Sequence, residues 1–512
     1  MWHMPGHTYS QLKQYDQAAW QQEASARVDH AHMMRYRILP DQIHNYAHNN
    51  EWLIRDLSFL GRVHDAIDLA KNMIELPRHP KYNFYDKWGS VQYGRHRLVE
   101  LLTRYELWDD ITKLVDTPYL EPSDKPAMQG ERIYLAGLAH LNRGEIDPGT
   151  DRITELSKHL ATLEAQQKAA FDKAGEEART AGKPDAEITK ARNEAGRKFN
   201  GDIEKAKGQI AELEAYSALA KGDLTDAIKR FDSVKNIPKE RLARIQLALG
   251  NKEQAEKDAR DAAGSAKNEV QPLANLTYVL RECGKTAESE EKFKELRKLA
   301  AHADLDMPAM RRLSPIARDL HLSADWRLEP DRRTDVGDRP SLDELGPFRW
   351  QPTPAPTWSL SDSGGKTFSL KSYRGKPVLV VFFLGQKCVH CMAQLNLFAP
   401  ARQSFKNAGI EMVAISTDSV EGLRKTLSGA DKTPFTFPIV SDRKLDVFKS
   451  YRCYDDFEKT PLHGTFLVDG NGLVRWHDIS YEPFTEIQFL LEESKRLLSQ
   501  GLQNGAKQTV RR

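Results

Sequence analysis

The chain has 512 residues, with 75 Lys and Arg against 73 Asp and Glu, a net charge of +2. So even a balance leaves no electrostatic footprint for nucleic acid or an acidic membrane surface. No apolar run approaches the roughly 18 residues of a transmembrane helix. The four cysteines, Cys283, Cys388, Cys391 and Cys453, are too few for a disulfide scaffold, so the two that lie three apart point to redox or metal chemistry. Met1 to Pro5 show no basic segment followed by an apolar stretch. As given, the chain reads as cytoplasmic, with export left open should a leader precede residue 1.

Residues 1–300 read as nearly continuous helix. A Gly followed five residues later by a small residue recurs at Gly61/Ala66, Gly144/Gly149, Gly222/Ala227, Gly250/Ala255 and Gly284/Ser289. Each unit predicts a helix, a tight turn opened by Gly, and a second helix whose small residue lets the pair approach closely. The 34 residues from Gly250 to Gly284 match the tetratricopeptide period. Residues 1–150 and 218–300 therefore resemble a degenerate tetratricopeptide array, with an irregular helical bundle as the alternative. Between them, residues 151–217 carry two narrow apolar stripes, Ile153, Leu156, Leu160 and Leu163, then Ile188, Phe199, Ile203, Ile210 and Leu213. The turn signal Gly182-Lys183-Pro184-Asp185 separates them. This predicts a long, charged helical hairpin, either simply solvated or serving as a docking arm. Residues 301–345, punctuated by prolines, read as a linker or a belt on the next domain.

From about residue 350 the period changes. Residues 377–384 are a buried strand, 411–416 a second, and 465–469 with 473–476 a hairpin turned at Asn471-Gly472. Helical patterns occupy 391–407, 420–428, 442–450 and 485–499. Strands alternating with helices predict an α/β thioredoxin-like domain over 346–502, followed by a loose tail at 503–512. The fold class is thus an all-α repeat region joined to an α/β domain.

Cys388-Val389-His390-Cys391 follows the buried strand and opens an amphipathic helix. A thiol there faces unpaired backbone N–H groups and the positive end of the helix dipole, both of which favour thiolate. Thiols so placed have pKa values of roughly 3.5 to 7.5. Cys391, one turn in, can attack a mixed disulfide and release it. Half of a zinc site would need a second ligand pair, and no other Cys pair exists. Seven of the 16 histidines fall in residues 1–64, and His3/His7 and His44/His48 have the i, i+4 spacing of one helix face. No Cys or carboxylate motif accompanies them, so no metal and no cofactor is assigned. Cys453 reads as a buried thiol or a distal resolving one.

Residues 350–500 resemble the alkyl hydroperoxide reductase/thiol-specific antioxidant superfamily of the thioredoxin fold. The resemblance rests on Gly375-Lys-Pro-Val-Leu-Val-Val-Phe-Phe383, Cys388-Val-His-Cys391, Val413-Ala-Ile-Ser-Thr-Asp418 and Gly464-Thr-Phe-Leu-Val-Asp-Gly-Asn-Gly472. The departures matter. Peroxiredoxins place Thr or Ser three residues before the peroxidatic Cys and Pro seven before, where this chain has Gly385 and Val381. They place Arg where it has His463, and thioredoxin-like reductases place a cis-proline there. The strand 377–384 lacks the acid thioredoxins use to move a proton, which leaves His390 and His463 as candidate acceptors.

The expected activity is therefore thiol–disulfide exchange by Cys388, with Cys391 resolving and His390 and His463 assisting. The alternatives are a thiol peroxidase and a non-catalytic repeat scaffold with a redox sensor. The expected partners are a protein disulfide or peroxide, a thiol reductant and a protein docked on the helical repeats, with no nucleic acid and no membrane span.

Overall fold

The computed structural model describes residues 2–43, 45–86, 88–235, 237–330, 335–427 and 435–507, with side chains to 500. Its first half is a stack of helical hairpins. The helices are α1 (His3–Gln11), α2 (Tyr15–Tyr36), α3 (Tyr46–Phe59), α4 (Val63–Glu75), α5 (Ser90–Arg104), α6 (Trp108–Leu114) and α7 (Pro126–Asn142). They continue with α8 (Ile146–Thr180), α9 (Asp185–Ala220), α10 (Leu224–Ser233), α11 (Lys239–Ala248), α12 (Lys252–Ser265), α13 (Val270–Glu282) and α14 (Thr286–Leu299).

The recurring Gly sits in the turns α3–α4, α7–α8, α9–α10, α11–α12 and α13–α14. It has φ of +74°, +78°, +77°, +83° and +84° respectively. A Cβ at such φ clashes with its own backbone, so Gly is the low-cost way to end one helix and start the next within about three residues. The small residue five positions on is buried in every unit. The helices α8 and α9 form the long hairpin, turned at Gly182 with φ +68°. Leu156, Leu163, Ile188, Ile203 and Leu213 lie in its seam, and the rest of its surface is largely exposed.

Residues 301–330 fold back on the helices that precede them. Two short helices, α15 (Pro308–Arg311) and α16 (Ser314–Asp319), each begin with Pro in the first turn, where the missing N–H costs nothing. Met307, Met310, Leu313, Ile316 and Trp326 enter the core of the helical region. Trp326 packs 4.9 Å from Phe293, and its carbonyl accepts a 2.6 Å bond from Arg297 Nε. The first part of the expected linker is thus built into the helical domain. Its apolar positions are spread over helices of four and six residues, too short to show a period. A further turn, α17 (Leu342–Leu345), precedes the second domain.

That domain is an eight-stranded mixed sheet. The strands are β1 (Thr353–Pro354), β2 (Ser359–Asp362), β3 (Thr367–Ser369), β4 (Val378–Phe383), β5 (Glu411–Ser416), β6 (Ile439–Ser441), β9 (His463–Val468) and β10 (Leu473–Ser480). A small separate pair, β7 (Tyr454–Asp455) and β8 (Thr460–Pro461), lies before β9. The order is β1-β10-β9-β4-β5-β6-β2-β3, with β4, β5 and β6 parallel and β9 and β10 antiparallel to their neighbours.

The helices are α18 (Val389–Asn407), α19 (Val420–Leu427), α20 (Asp446–Ser450) and α21 (Ile487–Lys507). Every residue of β4 is buried because both sheet faces are covered. Leu379, Val381 and Phe383 face α18 and α21, and Val378, Val380 and Phe382 face α20. The segment expected as a tail begins inside α21, and residues 508–512 lie outside the described ones.

The two domains meet behind the site. The loop after α4 inserts His79, which stacks on Trp476 at 5.8 Å and contacts Asp478 at 3.2 Å. Trp476 Nε1 donates to Arg78 O at 2.8 Å, and Arg78 N donates to Glu493 of α21 at 2.7 Å. Among the described residues, no helix is long and apolar enough to cross a membrane.

Candidate functional site

The site forms where β4 ends. Leu384–Lys387 make a short loop, and Cys388 is the N-cap of α18. Gly385 has φ +89°, and a Cβ there would lie 2.8 Å from Asp418 Cγ. Asp418, just after β5, accepts a 2.9 Å bond from Gln386 N and so pins the loop. This explains why the position that carries Thr or Ser in the family pattern is Gly here: a branched side chain fits neither the backbone angle nor the space.

Cys388 and Cys391 are joined by a disulfide with Cα atoms 5.3 Å apart, inside the usual range. Cys388 Sγ accepts a bond from Cys391 N at 3.2 Å, as a side chain capping the first turn does. Cys388 is part-exposed and Cys391 is fully buried. Leu384 N points at Cys391 Sγ at 3.3 Å.

His463 opens β9 and lies beneath the pair. Its Nε2 is 3.1 Å from Cys391 Sγ and 3.7 Å from Cys388 Sγ. Burial holds His463 below the ordinary imidazole pKa. A neutral imidazole is the form that takes a proton. His390 is placed differently. It is exposed on the first turn of α18, with Nδ1 3.7 Å from Glu482. The fold therefore brings together Cys388, Cys391 and His463, and leaves His390 on the rim.

Gln394, one turn after Cys391, was not singled out in the sequence. It is fully buried and donates to Phe484 O at 2.9 Å and toward Thr465 Oγ1 at 3.5 Å. Phe484 in turn touches His79 of the helical domain at 5.7 Å, so the interface packs directly behind the site helix. A polar residue on a buried helix face was the available signal for Gln394. Asp418 had only its place in the family motif.

Cys453 is fully buried on the opposite face of the sheet, and burial pushes its thiol well up. It packs against Gly464, where an added Cβ would also come within 2.9 Å of Phe466. In this position it is a packing group, inert as a nucleophile.

A redox-active pair at the head of a helix, after a central strand with β5 parallel on one side and β9, then β10, antiparallel on the other, defines a redoxin: a thiol-based oxidoreductase. Residues 352–477 match the AhpC/TSA family. A chloroplastic peroxiredoxin Q of Sedum lineare is 36% identical over 121 residues, which are 23% of this chain and 63% of that protein. A protein named as a peroxiredoxin in Mycobacterium tuberculosis (strain ATCC 25618 / H37Rv) is 32% identical over 126 residues, 78% of its length. The crystal structure of peroxidoxin BcpB from Mycobacterium tuberculosis is 20% identical, with a TM-score of 0.26, covering 29% of this chain and 96% of that one. The C-terminal domain of this chain belongs to the AhpC/TSA family. The chain spans a little over half the length of most plant peroxiredoxins Q that it matches.

Proposed function

We propose that the redoxin domain is a thiol-dependent peroxidase, with Cys388 as the attacking and Cys391 as the resolving thiol. The observation that carries this reading is the match of residues 352–477 to the AhpC/TSA family, whose relatives here are named peroxiredoxins, around a disulfide pair at the head of α18. In the reduced enzyme the Cys388 thiolate attacks one peroxide oxygen. The O–O bond breaks, the released alkoxide or hydroxide takes a proton from solvent and leaves as alcohol or water, and Cys388 becomes a sulfenic acid. His463 takes the Cys391 proton, the Cys391 thiolate attacks the Cys388 sulfur, and the S–O bond breaks as the departing hydroxide takes that proton back from His463 and leaves as water. An external dithiol supplies the two electrons that restore both thiols.

A second reading, protein disulfide exchange, is favoured by the Cys-x-x-Cys spacing and by Gly385 and His463 standing where peroxiredoxins hold Thr and Arg. The helical domain fits either reading as a platform that presents a protein partner to the site. Steady-state turnover of the full chain with a dithiol reductant, on hydrogen peroxide and on a protein disulfide, separates the two. We expect kcat/KM to be at least about tenfold higher for peroxide. The reverse order would establish disulfide exchange, and no turnover with either would leave a redox sensor.

His390 has a smaller role in this scheme, as a positive neighbour that favours the Cys388 thiolate and so raises the potential of the pair. Its exposure and the nearby Glu482 weaken that field. His390→Ala is expected to lower the reduction potential by roughly 20 mV. A glutathione redox titration of the full chain checks this, and an unchanged or raised potential would make His390 only a surface residue.

A further inference from the structure

His3 and His7 lie one turn apart on α1, and His48 reaches them from α3. His7 Nε2 is 3.3 Å from His3 Nε2 and 3.2 Å from His48 Nε2, and all three donor atoms lie within 4.8 Å of one another. Hydrogen bonding alone does not account for this arrangement. A ring nitrogen carries either one proton or one in-plane lone pair, so His7 Nε2 can make one such bond, yet it has two imidazole nitrogens at bonding distance. Two imidazoles bound to one tetrahedral zinc ion, at about 2.05 Å each, stand about 3.3 Å apart. The two spacings from His7 have that value.

We infer that His3, His7 and His48 form a binding site for one divalent first-row transition-metal ion, of which Zn²⁺ is the best match. Three imidazole donors suit Zn²⁺, and an all-nitrogen set excludes the oxygen-seeking Mg²⁺ and Ca²⁺. Three protein ligands leave a fourth tetrahedral position to water or an incoming ligand, as in catalytic rather than purely structural zinc centres. The surroundings support a cation. The ring of Trp52 packs against His7 at 4.3 Å and His48 at 6.0 Å, and shields one side of the cluster. The Asp29 carboxyl is held nearby on α2 by Asn49 Nδ2 of α3 at 2.8 Å. A bound ion would also fasten α1 onto α3. The grouping differs from the two intrahelical pairs visible in the sequence: His3 and His7 take the third member of the cluster, His48, from another helix, and His44 lies outside the described residues.

The test uses the untagged full chain, stripped with a chelator, with its disulfide intact so that Cys388, Cys391 and His463 cannot compete for the ion. Zn²⁺ titrated by calorimetry should bind at one ion per chain. Co²⁺ in its place should give the intense visible absorption of a tetrahedral site. His7→Ala and His48→Gln should each weaken Zn²⁺ binding at least about a hundredfold. His64→Ala, which alters an exposed histidine paired with Asp306, should leave it unchanged. Circular dichroism of each variant checks the fold, and the His48→Gln amide keeps a polar group in place should His7→Ala unfold α1. No saturable binding by the parent chain would overturn the site. So would equal affinity in the folded variants, which would place the ion elsewhere.

Discussion

Cys388→Ser is expected to abolish peroxide turnover, with a loss of at least about a thousandfold in kcat/KM. A serine hydroxyl stays protonated where a thiol at this N-cap ionises, and it cannot form the sulfenic acid. Cys391→Ser should behave differently. Its first turnover should survive, consuming one peroxide per chain and leaving a sulfenic acid that a sulfenate-specific reagent labels on Cys388. Steady-state turnover with a dithiol should then slow by tenfold or more, because the internal resolving step is gone. The contrast rests on the geometry: Cys388 is part-exposed at the cap, and Cys391 is fully buried beneath it. Label appearing on Cys391 in Cys388→Ser, with turnover retained, would reverse the roles. His463→Ala should keep the first step and slow disulfide formation by about a hundredfold, the usual scale for a lost general base.

Acidification should loosen the junction between the domains at a buried histidine, His30. His30 of α2 is fully buried. Its Nδ1 lies 3.1 Å from Pro347 O and its Nε2 3.1 Å from Tyr46 OH. The neutral ring satisfies both contacts, with Nδ1–H donating to the carbonyl and Nε2 accepting from the phenol. Burial pushes its pKa down to about 4, against 6.5 for a free imidazole. The folded pKa lies below the unfolded one, so the unfolded chain binds the extra proton. The stability tied to His30 is therefore complete above pH 6.5 and drains away as pH falls toward 4. At pH 5 the loss is about 2 kcal/mol relative to pH 7.5.

His30→Gln stays neutral throughout and isolates this contribution. Other groups that titrate in the window, such as Asp56, pushed up to about 7, and His477, held at about 4, are common to both proteins and cancel. Urea unfolding at pH 7.5 and pH 5.0 should show the parent chain losing about 2 kcal/mol more than His30→Gln. Parallel losses would mean that the ring accepts its proton in place.

The redoxin site was legible because its chemistry is local. Two cysteines, a helix start and an apolar strand sit within 15 consecutive residues, and period and capping rules act over that range. The glycine-turned hairpins were legible for the same reason, since a positive φ between two helices is a one-residue requirement. The short strands β1, β2, β3 and β6 were not. Each spans four residues or fewer, too short to carry a period of its own; β1 and β6 are held by partners distant in sequence, and β3 only by its short neighbour β2.

What the sequence by itself determined is thus the α-then-α/β order, the redox pair and the two candidate histidines. Only the tertiary structure set those histidines apart in position. The antiparallel placement of β9 beside β4 carries His463, 72 residues beyond Cys391, to its sulfur, while His390, though adjacent in sequence, is turned outward by its helix. The same holds at the other end of the chain. His3 and His7 share a helix face by spacing alone, but His48 joins them only because α3 packs beside α1. Contacts between elements far apart in sequence are set by burial of their apolar faces, and that burial is settled only when the whole core assembles.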